Sequence, residues 1–185
     1  MTNPVILPYH VLPAGYHAWD PRAPEVAHLV ADLIEREAPS LTVEHVGSTA
    51  VPGCGGKGIV DLMLMYPPAT IPEARDTLER LGFQHQVTRS PFPEERPMRT
   101  GAILHDDTEF RIHVHVISAD SPEVEEFRTF RDSLRGDPEL LARYEARKQE
   151  IIASGITDGT DYSMSKGSFC REVLTQHGLE VTHPA

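Results

Sequence analysis

The chain has no apolar run approaching the roughly 18 residues a membrane-spanning helix needs, no basic excess and only two cysteines. Each absence excludes a class of protein. Seventeen Lys and Arg against 28 Asp and Glu give a formal net charge of −11. A nucleic-acid backbone is therefore an unfavourable partner, because long-range attraction to phosphates requires positive charge. A small phosphorylated ligand survives this test, since two or three well-placed cations suffice to hold it. Cys54 and Cys170 are too few for a disulfide framework. The opening Met1-Thr2-Asn3-Pro4-Val5 is not a charged segment leading into a long apolar stretch. The expectation is a cytoplasmic protein with no membrane partner. No internal repeat and no low-complexity linker divides the chain.

What is present reads as one domain. Apolar residues at 39% and charged residues at 24% suit a soluble globular chain with its own core. Residues 1–20, which contain the single Trp19, read as an extended lead-in whose aromatics pack onto the domain. Between Pro24 and Glu37, Val26, Ala27, Val30, Leu33 and Ile34 recur at helical spacing. Leu41 to Val46 alternates like a strand and runs into the glycine-rich stretch 47–57. Gly58 to Met65 is apolar except for Asp61, the pattern of a central strand covered on both faces. A short helix over Pro72–Leu81 stops at Gly82, and weaker strands are expected over Phe83–Val87 and Pro97–Leu104. Asp106-Asp107 reads as a turn before a cleanly alternating strand, Glu109–Ile117.

Ser121-Pro122 and Asp137-Pro138 each place a capping residue before a first-turn proline. They predict helices ending near Arg135 and Ser154. A loop over Gly155–Gly159 and a last helix over Tyr162–His177 complete an α+β chain. Its mixed-sheet core occupies about 1–118 and its helical part about 121–180.

Three features carry candidate chemistry. Asp61 puts a carboxylate into an apolar strand, which costs several kcal/mol unless the group is paired or ligated. Arg111, His113 and His115 share one strand face while Phe110, Ile112, Val114 and Val116 share the other. The two imidazoles stand side by side, spaced to share a metal or flank a substrate. Gly47-Ser48-Thr49 after a strand offers hydroxyls and amides to an anion, although it lacks the order of a Walker loop. Further candidate cations are Lys57, Arg96, Arg99 and Lys166, the last with Tyr162 one turn before it. Arg143, Arg147 and Lys148 are interleaved with Glu145 and Glu150 and read as a solvent face.

Together, Glu44-His45-Val46-Gly47-Ser48-Thr49-Ala50-Val51-Pro52-Gly53, Lys57 and Ile59-Val60-Asp61 closely resemble the signature of the GrpB family, also called UPF0157. The resemblance continues through residues 95–101, His113-Val114-His115-Val116, residues 127–135 and Tyr162-Ser163-Met164-Ser165-Lys166. It implies a nucleotidyltransferase-like mixed β-sheet flanked by helices, with a helical C-terminal part. In active members of that superfamily, paired acids on the strand after the Gly-Ser turn, with a third acid, bind two divalent metals. Here Met63 stands in place of the second acid, and His113 and His115 stand where the third is expected. Such a set suits Zn²⁺ or Mn²⁺ better than Mg²⁺.

Two readings follow. In one, a metal-dependent nucleotidyl- or phosphoryl-transferase acts on a small molecule. Asp61, His113 and His115 are its catalytic and metal-binding residues, and Gly47, Ser48, Thr49, Lys57, Arg96, Arg99 and Lys166 hold the phosphates. In the other, a non-catalytic module descended from such an enzyme binds a nucleotide or phosphorylated ligand. A weaker third reading is a partner protein for another enzyme.

Overall fold

The computed structural model describes residues 5–181. Five strands form one mixed sheet in the order β1-β2-β5-β4-β3. They are β1 (Thr42–Val46), β2 (Ile59–Tyr66), β3 (Gln84–His85), β4 (Met98–His105) and β5 (Thr108–Ser118). Only the β2/β5 pair is parallel; the other three pairs are antiparallel. The helices are α1 (Ala23–Glu37), α2 (Ile71–Leu81), α3 (Pro122–Gly136), α4 (Pro138–Ala153) and α5 (Gly159–Gln176).

Side-chain alternation along the two central strands splits the molecule into two sides. Val60, Leu62 and Leu64 of β2 join Phe110, Ile112, Val114 and Val116 of β5 in the main core, with α1 and α2 packed on them. Met63 and Met65 turn the other way, into a smaller cluster with Val46, Ile117 and Val124 of α3. Asp61, His113 and His115 belong by parity to this second side. A third cluster joins Val51 and Cys54 to α3, α4 and α5 through Leu134, Tyr144, Phe169 and Val173.

The helix starts follow the sequence signals. The Asp137 carboxylate accepts from the amides of Glu139 and Leu140 at 2.9 and 3.0 Å, and Ser121 caps α3 in the same way. α5 begins earlier than its apolar periodicity predicts. Asp158 caps it by accepting from Thr160 and Asp161 amides, so the expected loop over 155–159 is shorter. The Phe83–Val87 strand shrinks to two paired residues, because Phe83 is drawn into the core and the Gln86 side chain closes the following loop on the Phe92 amide. β4, expected to be weak, is a buried eight-residue strand. Asp106 and Asp107 both have positive φ, as a tight hairpin turn requires.

From residue 5 onward the lead-in packs as expected; residues 1–4 of it lie outside the described residues. Leu7 pairs with Ala102 and His17 with Gly56, and the Trp19 indole donates to the Thr49 carbonyl at 2.9 Å. Cys54 and Cys170 are buried free thiols. One expectation fails outright. Lys148 is 1% exposed, and its ammonium is turned inward onto the Gly55 carbonyl and the Cys54 sulfur. Charge alternation along α4 does not reveal that one of its cations faces the loop after β1. Among the described residues, no helix is long and apolar enough to cross a membrane.

Candidate functional site

The loop between β1 and β2 places the first site residues. Gly47 has φ 70° and ψ −169°, a conformation essentially reserved for glycine. A Cβ at this position would stand 2.6 Å from Oδ2 of Asp61. Both facts point to one cause: the chain must turn sharply while its backbone rests against the carboxylate. The turn is pinned from α3, where Arg128, Arg131 and Arg135 lie one turn apart on one helix face. Arg131 donates to the His45 carbonyl and Arg135 to the Ala50 carbonyl, while Arg128 and Arg131 both pair with Glu44.

Asp61 and His113 are register partners on β2 and β5. Oδ1 of Asp61 lies 3.4 Å from Nδ1 of His113 and 3.7 Å from Nε2 of His115. Burial opposes ionisation of Asp61, but the two imidazoles facing it outweigh that and hold the carboxyl well below the usual range. The far nitrogen of His113 meets the Tyr9 hydroxyl at 2.9 Å.

The far nitrogen of His115, Nδ1, meets a guanidinium nitrogen of Arg96 at 3.2 Å. Arg96 is itself bound through two nitrogens to the Glu123 carboxylate. Burial pushes His115 down to about 4, and the Arg96 charge works in the same direction. His115 is thus a neutral imidazole at pH 7. A guanidinium only donates, so Nδ1 carries the lone pair and the proton sits on Nε2, turned toward Asp61.

His45, which sequence reasoning passed over, is also neutral, lowered to about 4 chiefly by burial. Its Nε2 lies 3.0 Å from the Thr49 hydroxyl, which donates onward to the Ile59 carbonyl. The signal was its place in the Glu44-His45-Val46-Gly47-Ser48 stretch. Thr49 is thereby committed to holding the loop.

On the other side of Asp61 a narrow cleft with about 50 Å³ of free volume is lined by Trp19, Ser48, Lys57, Asp61, Tyr162 and Lys166 among others. The ammonium groups of Lys57 and Lys166 lie 5.2 and 5.9 Å from the centre of the Tyr162 ring. Among the described residues neither lysine forms an ion pair with a carboxylate. Burial and the neighbouring Lys166 charge pull Lys57 down to about 8, against the opposing pull of Asp61.

Ser48, Thr49, Lys57 and Lys166 therefore gather with Asp61 in the cleft, and His113, His115 and Arg96 gather on the far side of the same carboxylate. Arg99 stands apart. It is the register partner of Val114, on the opposite face of the sheet, and its guanidinium is paired with Glu94 and Glu79. Met63 is fully buried and offers the site nothing. Among the described residues, no group of three or more His, Cys, Asp and Glu side chains is disposed to hold a metal ion. The donor chemistry agrees, because the Nε2 of His115 that faces Asp61 bears a proton and not a free lone pair.

The sequence profile of the GrpB protein family matches residues 14–176. The chain belongs to the GrpB family. A UPF0157 protein of Streptomyces coelicolor is 31% identical over 147 residues, covering 79% of this chain and 74% of that protein. The crystal structure of the conserved protein GrpB from Enterococcus faecalis superposes with a TM-score of 0.67 at 20% identity, covering 88% of this chain and 96% of that one. A chain of the GLD-2/RNP-8 complex superposes with a TM-score of 0.50 at 14% identity, covering 71% of this GrpB protein and 54% of that chain. These likenesses are of fold. The expected α+β arrangement, a mixed sheet flanked by helices with a helical C-terminal part, is the one observed.

Proposed function

We propose that this GrpB protein binds a small phosphorylated ligand of the nucleotide class in the cleft beside Asp61, as a module descended from a nucleotidyltransferase. One observation carries the reading. The ammonium groups of Lys57 and Lys166 stand 5.2 and 5.9 Å from the centre of one tyrosine ring, and among the described residues neither has a paired carboxylate, in a chain whose net charge is −11. Two adjacent ammonium groups repel each other, and here that repulsion helps to depress Lys57. A phosphate dianion bound by both offsets it and raises Lys57 back toward its ordinary value. Ser48 offers a hydroxyl at the same wall, and Asp61 can accept from a hydroxyl or amine of the ligand. The acidic surface elsewhere disfavours a nucleic-acid chain as the occupant.

The alternative is transfer of a nucleotidyl or phosphoryl group to a small acceptor. It is favoured by Gly47-Ser48 resting against Asp61, the arrangement expected of a transferase relative. One experiment separates the two. Thermal unfolding is followed with ATP in EDTA, and ATP consumption is followed with Mg²⁺, Mn²⁺ or Zn²⁺. Binding alone gives a rise in Tm that grows with ATP concentration and no consumption. Metal-dependent turnover abolished by Asp61→Asn establishes the transferase, and no Tm shift refutes the binding reading.

A further inference from the structure

We propose that Arg96 is a specificity-determining residue: its guanidinium occupies Nδ1 of His115 and bars Asp61, His113 and His115 from taking up a divalent cation. Asp61 stands near the spacing a metal needs from each imidazole, although the three donors together are not disposed to hold one. Two ligand atoms each about 2.0–2.1 Å from a tetrahedral Zn²⁺ stand roughly 3.3 Å apart. Asp61 Oδ1 lies 3.4 Å from Nδ1 of His113 and 3.7 Å from Nε2 of His115. Two of the donor pairs are thus near that spacing, and His115 lacks the lone pair a metal would take.

Metal-bound histidines donate their second ring N–H to a carboxylate, a carbonyl or water, which leaves the metal-facing nitrogen free to ligate. His115 has the reverse arrangement. Its second nitrogen meets Arg96, a group that cannot accept a hydrogen bond and does not lose its proton. For Nε2 to bind a cation while Nδ1 still accepts from Arg96, the ring would have to be an imidazolate. If instead the proton moved to Nδ1, two N–H groups would face each other at 3.2 Å.

Arg96 cannot easily turn aside. Its side chain is 12% exposed and Glu123 is 4% exposed. The guanidinium donates through both Nε and Nη2 to one Glu123 oxygen, and it lies 4.5 Å from the Phe92 ring centre and 6.0 Å from that of Phe127. The same two rings lie against the imidazole, with centroids 5.9 and 5.2 Å away, and so oppose a ring flip. A dication beside Asp61 would also meet the positive charge of Arg96 in a site largely shielded from water. Arg96 and Glu123 thus act at Asp61 through the His115 ring and through the charge of Arg96, as positioning residues. This inference is independent of the ligand proposed for the cleft.

The test is Zn²⁺ binding, measured against a chromophoric chelator at pH 7 on untagged protein. The variants are Arg96→Gln and Arg96→Gln/Glu123→Gln, the second so that no buried carboxylate is left unpaired. The wild type is expected to show no Zn²⁺ binding that depends on His115. In the double variant the amide carbonyl introduced at position 96 can accept from Nδ1–H. That protein is expected to bind at least about 10–100-fold more tightly, and to lose this on adding His115→Ala. Wild-type binding that is as tight and is abolished by His115→Ala overturns the proposal. So does a folded double variant that gains nothing. If the variants do not fold, ¹⁵N NMR of the wild type decides. The Nε2–H tautomer at His115 is expected, and an Nδ1–H tautomer or an imidazolium at neutral pH contradicts it.

Discussion

Gly47 and Asp61 touch across the β1–β2 connection so closely that a single added carbon at 47 would sit 2.6 Å from the carboxylate oxygen. The position also has φ 70°, so alanine suffers both backbone strain and overlap. Gly47→Ala is expected to cost about 1–3 kcal/mol and to displace Asp61 from the cleft. Urea unfolding reads the first effect, and loss of the ATP-induced Tm shift reads the second. A variant with unchanged stability and binding would mean that the contact does not organise the site.

Met63 occupies the place of a second carboxylate, and it is buried among Val46, Met65, Ile117 and Val124. Restoring the acid is not expected to restore a site, because the side chain is fully buried in that apolar cluster. Met63→Asp is expected to destabilise by at least about 3 kcal/mol, and Met63→Leu by less than about 1.5 kcal/mol. Denaturant midpoints check both. A stable Met63→Asp protein that binds Mn²⁺ would show that the cluster can open to solvent.

Lys148 ties α4 to the loop after β1 through the Gly55 carbonyl, the Cys54 sulfur and, at 3.4 Å, the Ser48 hydroxyl. Its ring partner is Tyr144, 4.4 Å away. Lys148→Ala leaves those acceptors unmet and opens a cavity, at a cost of about 2–4 kcal/mol. The neighbouring, exposed Arg143 is the control, with less than about 0.5 kcal/mol expected on its replacement by alanine. Equal effects at the two positions would return Lys148 to the solvent face.

His45 and His115 are both held near 4, below their ordinary value of 6.5, chiefly by burial. The unfolded chain therefore binds more protons than the folded one between pH 4 and 6.5. Stability is present in full above pH 6.5 and falls as the pH drops toward 4. Each histidine contributes a slope of up to about 1.4 kcal/mol per pH unit. Urea denaturation between about pH 5 and 6.5, above the range where Asp61, Glu44 and the other paired carboxylates take up protons, checks the sign, and a profile that flattens there in the His45→Gln/His115→Gln protein assigns it.

The sheet side of the site was legible because a period of two places Asp61, and His113 with His115, on one face of each strand, whatever the tertiary detail. The cations were harder to place. Arg96 and Arg99 look alike in sequence, yet one precedes β4 and reaches His115 while the other, inside β4, falls on the opposite face. Which face is which depends on strand register, and no local pattern encodes that. Lys148 was misread because helical charge alternation describes a helix's own surface and not the loop that folds over it. The role of Arg96 was invisible for a related reason: it depends on which imidazole nitrogen the guanidinium meets.

Calorimetric titration of ATP in EDTA at low ionic strength tests the cleft most directly, comparing wild type with Lys57→Ala and Lys166→Ala. The wild type is expected to bind, each variant at least about tenfold more weakly, with wild-type affinity falling as the pH rises through about 8, where Lys57 loses its proton. Binding that survives both substitutions unchanged, or no binding by the folded wild type, would contradict the assignment of this cleft to a phosphorylated ligand.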